Sequence, residues 1–159
     1  MRALVACLMM IVVATPAPAA AKARMGKAER AVVKRINNQR AKHALPGLSV
    51  SSRLAKAADA HSRDMVRAGF FAHNSSNGRS TYDRVRSYRR STYVGETIGY
   101  IPTAGNPSPR AIVRMWMQSA PHRSTLLTRR LRRVGVAKRR GRLFGQRVVV
   151  WTLDLTSRR

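Results

Sequence analysis

The chain has 159 residues, with 32 lysines and arginines against 6 aspartates and glutamates and a formal charge of +26. That length suits one domain around one core, and a single cysteine excludes a disulfide scaffold. Only six of the basic residues are lysines, so arginine carries the charge, which favours anionic partners and costs stability through self-repulsion.

The first segment reads as an address. Arg2 precedes an apolar run from Ala3 to Val13, and Thr15-Pro16-Ala17-Pro18-Ala19-Ala20 supplies the small-residue end of a secretory signal peptide. The run is too short for a permanent bilayer anchor. Cys7 precedes the apolar core, which discounts lipid attachment, and it leaves with the leader. The expected division is therefore a signal peptide over residues 1–21 and one cysteine-free domain over 22–159. That domain is expected to be monomeric, extracellular or periplasmic, and without a stable membrane anchor. Its available anionic partners are an envelope polymer, lipid head groups or another extracellular ligand. Arginines occur in every segment rather than on one stripe, and aromatics to stack bases are few, so no specific nucleic-acid motif stands out.

In chain order, residues 22–42 read as a helix whose apolar face is Ala31, Val32 and Ile36. Leu45-Pro46-Gly47-Leu48 is a turn, and Ser51 or Ser52 caps a second helix over residues 53–68, with Gly69 as its stop. His61 lies on the apolar face of that helix, where a packed, hydrogen-bonded role outweighs a ligand role. Phe70 and Phe71 bury the chain just before His73, and Asn77-Gly78 marks a tight turn in the following loop. Residues 82–88 form a short helix and residues 93–101 a strand. Ser108-Pro109 opens a helix with Ile112, Met115 and Trp116 on its apolar face. Strands at Val134–Ala137 and Arg147–Leu155 flank a turn at Arg139–Arg142, giving α+β with an antiparallel sheet covered by helices.

The stretch Trp116 to Leu127 combines apolar anchors with a break. Pro121 disfavours helix at Ala120 before it, so the helix should stop there. His122 is then held at a corner between Trp116 and Leu126-Leu127.

Several fragments now line up in order: Asn37-Asn38-Gln39-Arg40, Leu45-Pro46-Gly47-Leu48, Ala58 with His61 to Met65, Gly69-Phe70-Phe71-Ala72-His73, Asp83-Arg84, Gly95-Glu96-Thr97-Ile98, Trp116 to Ser119, His122-Arg123 with Leu126-Leu127, and Arg133 to Val136. The ordered set resembles the bacterial branch of the CAP superfamily, which includes cysteine-rich secretory proteins, venom antigens and plant pathogenesis-related proteins. The resemblance covers about residues 28–155. It implies an α–β–α sandwich with a central antiparallel sheet of three to four strands, flanked by helices, and one cleft. It also implies that His73, Glu96 and His122 meet in that cleft, where two imidazoles and a carboxylate suit a divalent cation such as Zn²⁺. Two departures bear on the metal. Gln118 and Ser119 stand where a second glutamate is expected, and Thr97 where an asparagine follows the Gly-Glu pair.

Three functions compete. The first is a secreted binding module whose cleft, with Ser119 at its margin, holds an extracellular or envelope ligand. The second is a metal-assisted, peptidase-like hydrolase with Glu96 as general base. A Ser119–His122 pair is a weaker variant, since neither a Gly-x-Ser-x-Gly elbow nor an H-E-x-x-H motif is present. The third is a cationic effector of anionic polymers or membranes, against which stands the lack of a long cationic amphipathic helix. The binding module is the preferred reading.

Overall fold

A computed structural model describes residues 25–158. The expected leader at residues 1–21 lies outside them. Helices α1 (Lys27–Lys42), α2 (Ser52–Ala68), α3 (Thr81–Tyr88), α4 (Pro109–Gln118) and α5 (Ala120–Leu126) surround strands β1 (Ser49–Val50), β2 (Val94–Pro102), β3 (Leu131–Leu143) and β4 (Gln146–Ser157). The sheet order is β1-β3-β4-β2. Both long pairings are antiparallel, and β1 adds two residues parallel to β3. This is the expected helix-flanked sheet, with that short parallel addition.

Three local expectations change. Helix α1 begins at Lys27, with Gly26 at its boundary, and the start expected at residue 22 lies outside the described residues. The turn expected at Arg139–Arg142 is instead strand, and the hairpin closes at Phe144-Gly145, where both residues have positive φ. Pro121 does separate two helices, but it lies in the first turn of α5 rather than in a loop. A proline is tolerated there because its missing N–H would have no intrahelical partner anyway. His122 therefore sits near the start of a short helix, not on an open corner.

Caps account for the helix bounds elsewhere. Ser51, Ser80 and Ser108 each accept a backbone N–H at the start of α2, α3 and α4. Gly69 ends α2 at φ 69°, a left-handed conformation that glycine adopts without a side-chain clash.

Side chains alternate across β4. Val149, Trp151, Leu153 and Leu155 enter a large core with Val32, Ile36, Ile112 and Trp116 from α1 and α4. Val148 and Val150 enter a smaller one with Met65, Ile98 and Leu143, against which Phe70 and Phe71 pack. Helix α2 lies on this second face. It approaches so closely that a Cβ on Gly135 would stand 2.1 Å from the Ala55 backbone nitrogen.

One arginine belongs to the interior. Arg40 is fully buried and donates to the carbonyls of Pro46 (2.9 Å), Leu126 (2.7 Å), Thr128 (3.1 Å) and Leu131 (3.2 Å). It thereby ties α1 to the end of α5 and the start of β3.

Candidate functional site

At one end of the α2 face the apolar pattern of β4 stops. Thr152, Asp154 and Thr156 are all buried, and Asp154 pairs with Glu96 across the β2–β4 ladder. Residues directly opposite in an antiparallel pair share a face, so two carboxyl side chains lie together under α2 and α3. Ser62 on α2 donates to Thr152 at 2.8 Å and covers the next position of the same row.

Glu96 is the hub. Its Oε1 accepts from His73 Nδ1 at 2.7 Å and from Thr81 Oγ1 at 3.0 Å. Its Oε2 accepts a charge-assisted hydrogen bond from Arg84 Nη2. Burial by itself would raise the Glu96 carboxyl. The His73 bond and the Arg84 charge outweigh that and hold it below the usual range. Arg84 is held in turn: its Nη1 donates to the His73 carbonyl at 3.0 Å and to Ser75 Oγ at 3.1 Å.

Two histidines reach this hub and a third, His122, feels the charge of one of them; the three are in different states. His61 is fully buried; its Nε2 donates to the Ala72 carbonyl at 2.9 Å and lies 3.9 Å from Glu96 Oε2. Burial lowers its pKa more than the Glu96 charge raises it, so it packs as a neutral, hydrogen-bonded core residue. It is nevertheless also the third imidazole of the cluster. The His73 side chain is 54% exposed, and its bond to Glu96 raises its pKa. His122 is half-buried. Its pKa is lowered by burial and then by the His73 charge, which places the two imidazoles within electrostatic reach. Its buried Nδ1 has no hydrogen-bond partner.

Asp154 is fully buried, and neither oxygen has a hydrogen-bond partner within the fold. Burial first, and the Glu96 charge second, push its carboxyl well above the ordinary range. A neutral Asp154 resolves an otherwise untenable pair of buried like charges.

The expected residues thus divide. His73 and Glu96 are joined directly, His122 is nearby without a bond to either, and Ser119 stands at the α4–α5 joint with no side-chain hydrogen bond to His122. Sequence reasoning missed Thr81, Arg84 and Asp154. One signal was present: Asp154 is a lone acid inside the apolar run of β4.

The donor set fits a metal poorly as it stands. Among the described residues no group of three or more His, Cys, Asp or Glu side chains is placed to hold one. The physical reason is Arg84. It occupies one Glu96 oxygen and sets a positive charge beside the position a cation would need, while His73 and Thr81 occupy the other.

The cysteine-rich secretory protein (CAP) family pattern matches residues 33–155. The chain belongs to this family. The uncharacterized protein YkwD of Bacillus subtilis is 32% identical over 108 residues, which is 68% of this chain and 41% of that protein. The chain thus spans less than half the length of that relative. An extracellular SCP-domain protein of Bacillus anthracis superposes with a TM-score of 0.68 at 24% identity, over 82% of this chain and 40% of that one. An outer surface protein of Borrelia burgdorferi gives 0.66 at 17% identity, over 81% of this chain and 92% of that one. These two likenesses concern the fold.

Proposed function

We propose that this CAP domain is a secreted binding module that uses His73 and His122 to take an oxygen-bearing extracellular or envelope ligand. The observation that carries the reading is the occupancy of Glu96. A carboxylate that already accepts from Arg84, His73 and Thr81, and whose pKa is depressed, is a weak general base. It is well suited to orienting His73: with Nδ1–H committed to Glu96, the other ring nitrogen of an exposed imidazole is left to a ligand, accepting from a hydroxyl when the ring is neutral and donating when it is protonated. His122 supplies a second, neutral imidazole. Export rests on the leader-like residues 1–21 and on the extracellular and outer-surface relatives. No helix of the described residues is long and apolar enough to cross a membrane.

The test uses purified bacterial cell-wall glycan as the probe, with wild type beside His73→Ala and His122→Ala. Each variant should bind about tenfold more weakly while staying folded, the loss of one hydrogen bond to the ligand. Equal binding by all three overturns the reading, and turnover that is lost in Glu96→Gln replaces it with a hydrolase.

A divalent cation is the second reading, favoured by the unpartnered Nδ1 of His122. Metal analysis of the same three proteins decides it. Stoichiometric zinc in wild type, absent from both variants, supports the cation, and near-zero occupancy in all three removes it.

A further inference from the structure

A hollow that none of the histidines lines opens at the sheet end where β2 begins and β4 finishes. It has a volume of about 520 Å³ and is lined by Thr92, Tyr93, Arg130, Arg132, Ser157 and Arg158. Its frame is fixed. Ser157 donates its backbone N–H to the Tyr93 carbonyl at 3.0 Å, and the hydroxyls of Ser91 and Ser157 lie 3.0 Å apart. On the β3 side the ladder slips between Leu131 and Arg133, so Arg132 is an inserted residue. Such bulges re-aim a side chain out of the regular alternation. Arg132 is braced by bonds to the Arg129 and Leu131 carbonyls, and the Arg130 guanidinium lies 5.8 Å from the centre of the Tyr93 ring.

None of the chain's six carboxylate side chains lines this hollow. Arginine ion pairs form elsewhere, on Asp59 and Glu96. Three arginines therefore line the hollow without an acidic side chain among them, an arrangement whose like charges an anion would relieve. A carboxylate has two oxygens to offer, whereas a phosphate has enough to engage three separate arginine forks and the hydroxyls beside them. The volume exceeds what a bare phosphate needs and lies in the range of sites for small organic ligands. The exposed Tyr93 ring supplies a flat wall for the remainder.

We propose that this hollow is a binding site for a phosphorylated glycerol or sugar unit, with Arg130, Arg132 and Arg158 as the phosphate ligands. The site is separate from the histidine cleft, and its success or failure is independent of the ligand read there. Two sources share the chemistry: a soluble or polymer-borne glycerol phosphate, and a phosphatidylglycerol head group.

The test is calorimetric titration of the whole protein with glycerol 3-phosphate at low salt. It compares wild type, an Arg130→Gln/Arg158→Gln double variant and an Arg53→Gln/Lys56→Gln double variant. The last pair lies on the exposed side of α2 and removes the same charge elsewhere. Wild type should bind one equivalent, the pocket variant should weaken by about tenfold or more, and the control should change by less than about twofold. Equal weakening in both variants, or no saturable binding by wild type, overturns the site. Acetate competing as well as inorganic phosphate overturns its phosphate selectivity. A parallel arm measures sedimentation with phosphatidylglycerol vesicles against phosphatidylcholine vesicles. Retention that depends on Arg130 and Arg158 assigns the phosphate to a head group, and soluble binding without retention assigns it to a free or polymer-borne unit.

Discussion

The two faces of β4 are built from adjacent residues and solve opposite problems. Val149, Trp151, Leu153 and Leu155 pack into the large apolar core, and their burial stabilises through removal of area from water. Thr152, Asp154 and Thr156 look the other way into a region where Glu96, Arg84 and His61 are buried as well. Burying charge is unfavourable unless it is paired and hydrogen-bonded. The same strand thus carries a stabilising face and one that stores electrostatic free energy beside an exposed histidine. A cluster so placed is explained by what it orients, since an apolar replacement would serve stability at least as well.

The contrast can be broken most severely on the apolar side. Trp116 is fully buried, and its Nε1 donates to the Ile98 carbonyl at 2.9 Å. Trp116→Ala should cost about 3–5 kcal/mol, near the upper end of core truncations because the carbonyl is orphaned too. Urea unfolding should show the loss unchanged across the pH range where carboxylates and histidines titrate. Arg84→Met should cost roughly 3 kcal/mol by leaving Glu96 buried without its cation. Unlike the tryptophan variant, its loss should shrink toward acid pH as Glu96 protonates. Adding Glu96→Gln should recover most of it, and a strictly additive double variant would show that the pair is not coupled.

How far each face could be read in advance follows from the same difference. The apolar face repeats with the period of its strand or helix, so Val32, Ile36, Trp116 and residues 147–155 declared themselves. The caps were equally local, since Ser51 and Gly69 act on their own helix ends. His73 and Glu96 came from an ordered family pattern rather than from periodicity. Arg84 stands in the same ordered pattern, in the Asp83-Arg84 fragment, but the pattern gave it no role in the site. Among 26 arginines nothing local marks the one whose guanidinium is buried against Glu96, and Arg40, the other buried one, is equally inconspicuous. The turn at Phe144-Gly145 was hidden because Arg139–Arg142 has the composition of a loop, although its strand is fixed by pairing with residues 147–150. The Glu96–Asp154 pairing depends on register between strands about fifty residues apart, which no single segment encodes.

The smaller predictions sharpen the polar side by separating its titrations. Glu96, with a depressed pKa, contributes stability that is present above its ordinary unfolded value and lost as pH falls through the folded one. Asp154 has the reverse sign. Its folded pKa is raised, so stability should fall as pH climbs above the unfolded aspartate value, by about 1.4 kcal/mol per unit at most. Asp154→Asn should erase that decline, leaving a protein little changed at acid pH and more stable near neutrality. An unchanged slope between the acid range and neutrality would mean that Asp154 is ionised in the fold.

The smallest effect belongs to His122, which is only half-buried. Its lowered pKa means that the unfolded chain takes up a proton first as pH falls through about 6.5, so stability declines until the folded value is reached. His61 acts in the same direction. His73, with a raised pKa, opposes both: its contribution is complete below its unfolded value and fades as pH rises through the folded one. His122→Asn should therefore flatten the decline below about pH 6.5 and leave the His73 proton's contribution uncovered. A proton-detected titration of the remaining imidazoles provides the check. The converse variant, His73→Asn, removes the charge that lowers His122, so the titration of His122 should move upward, whereas no movement would place the two rings in separate environments.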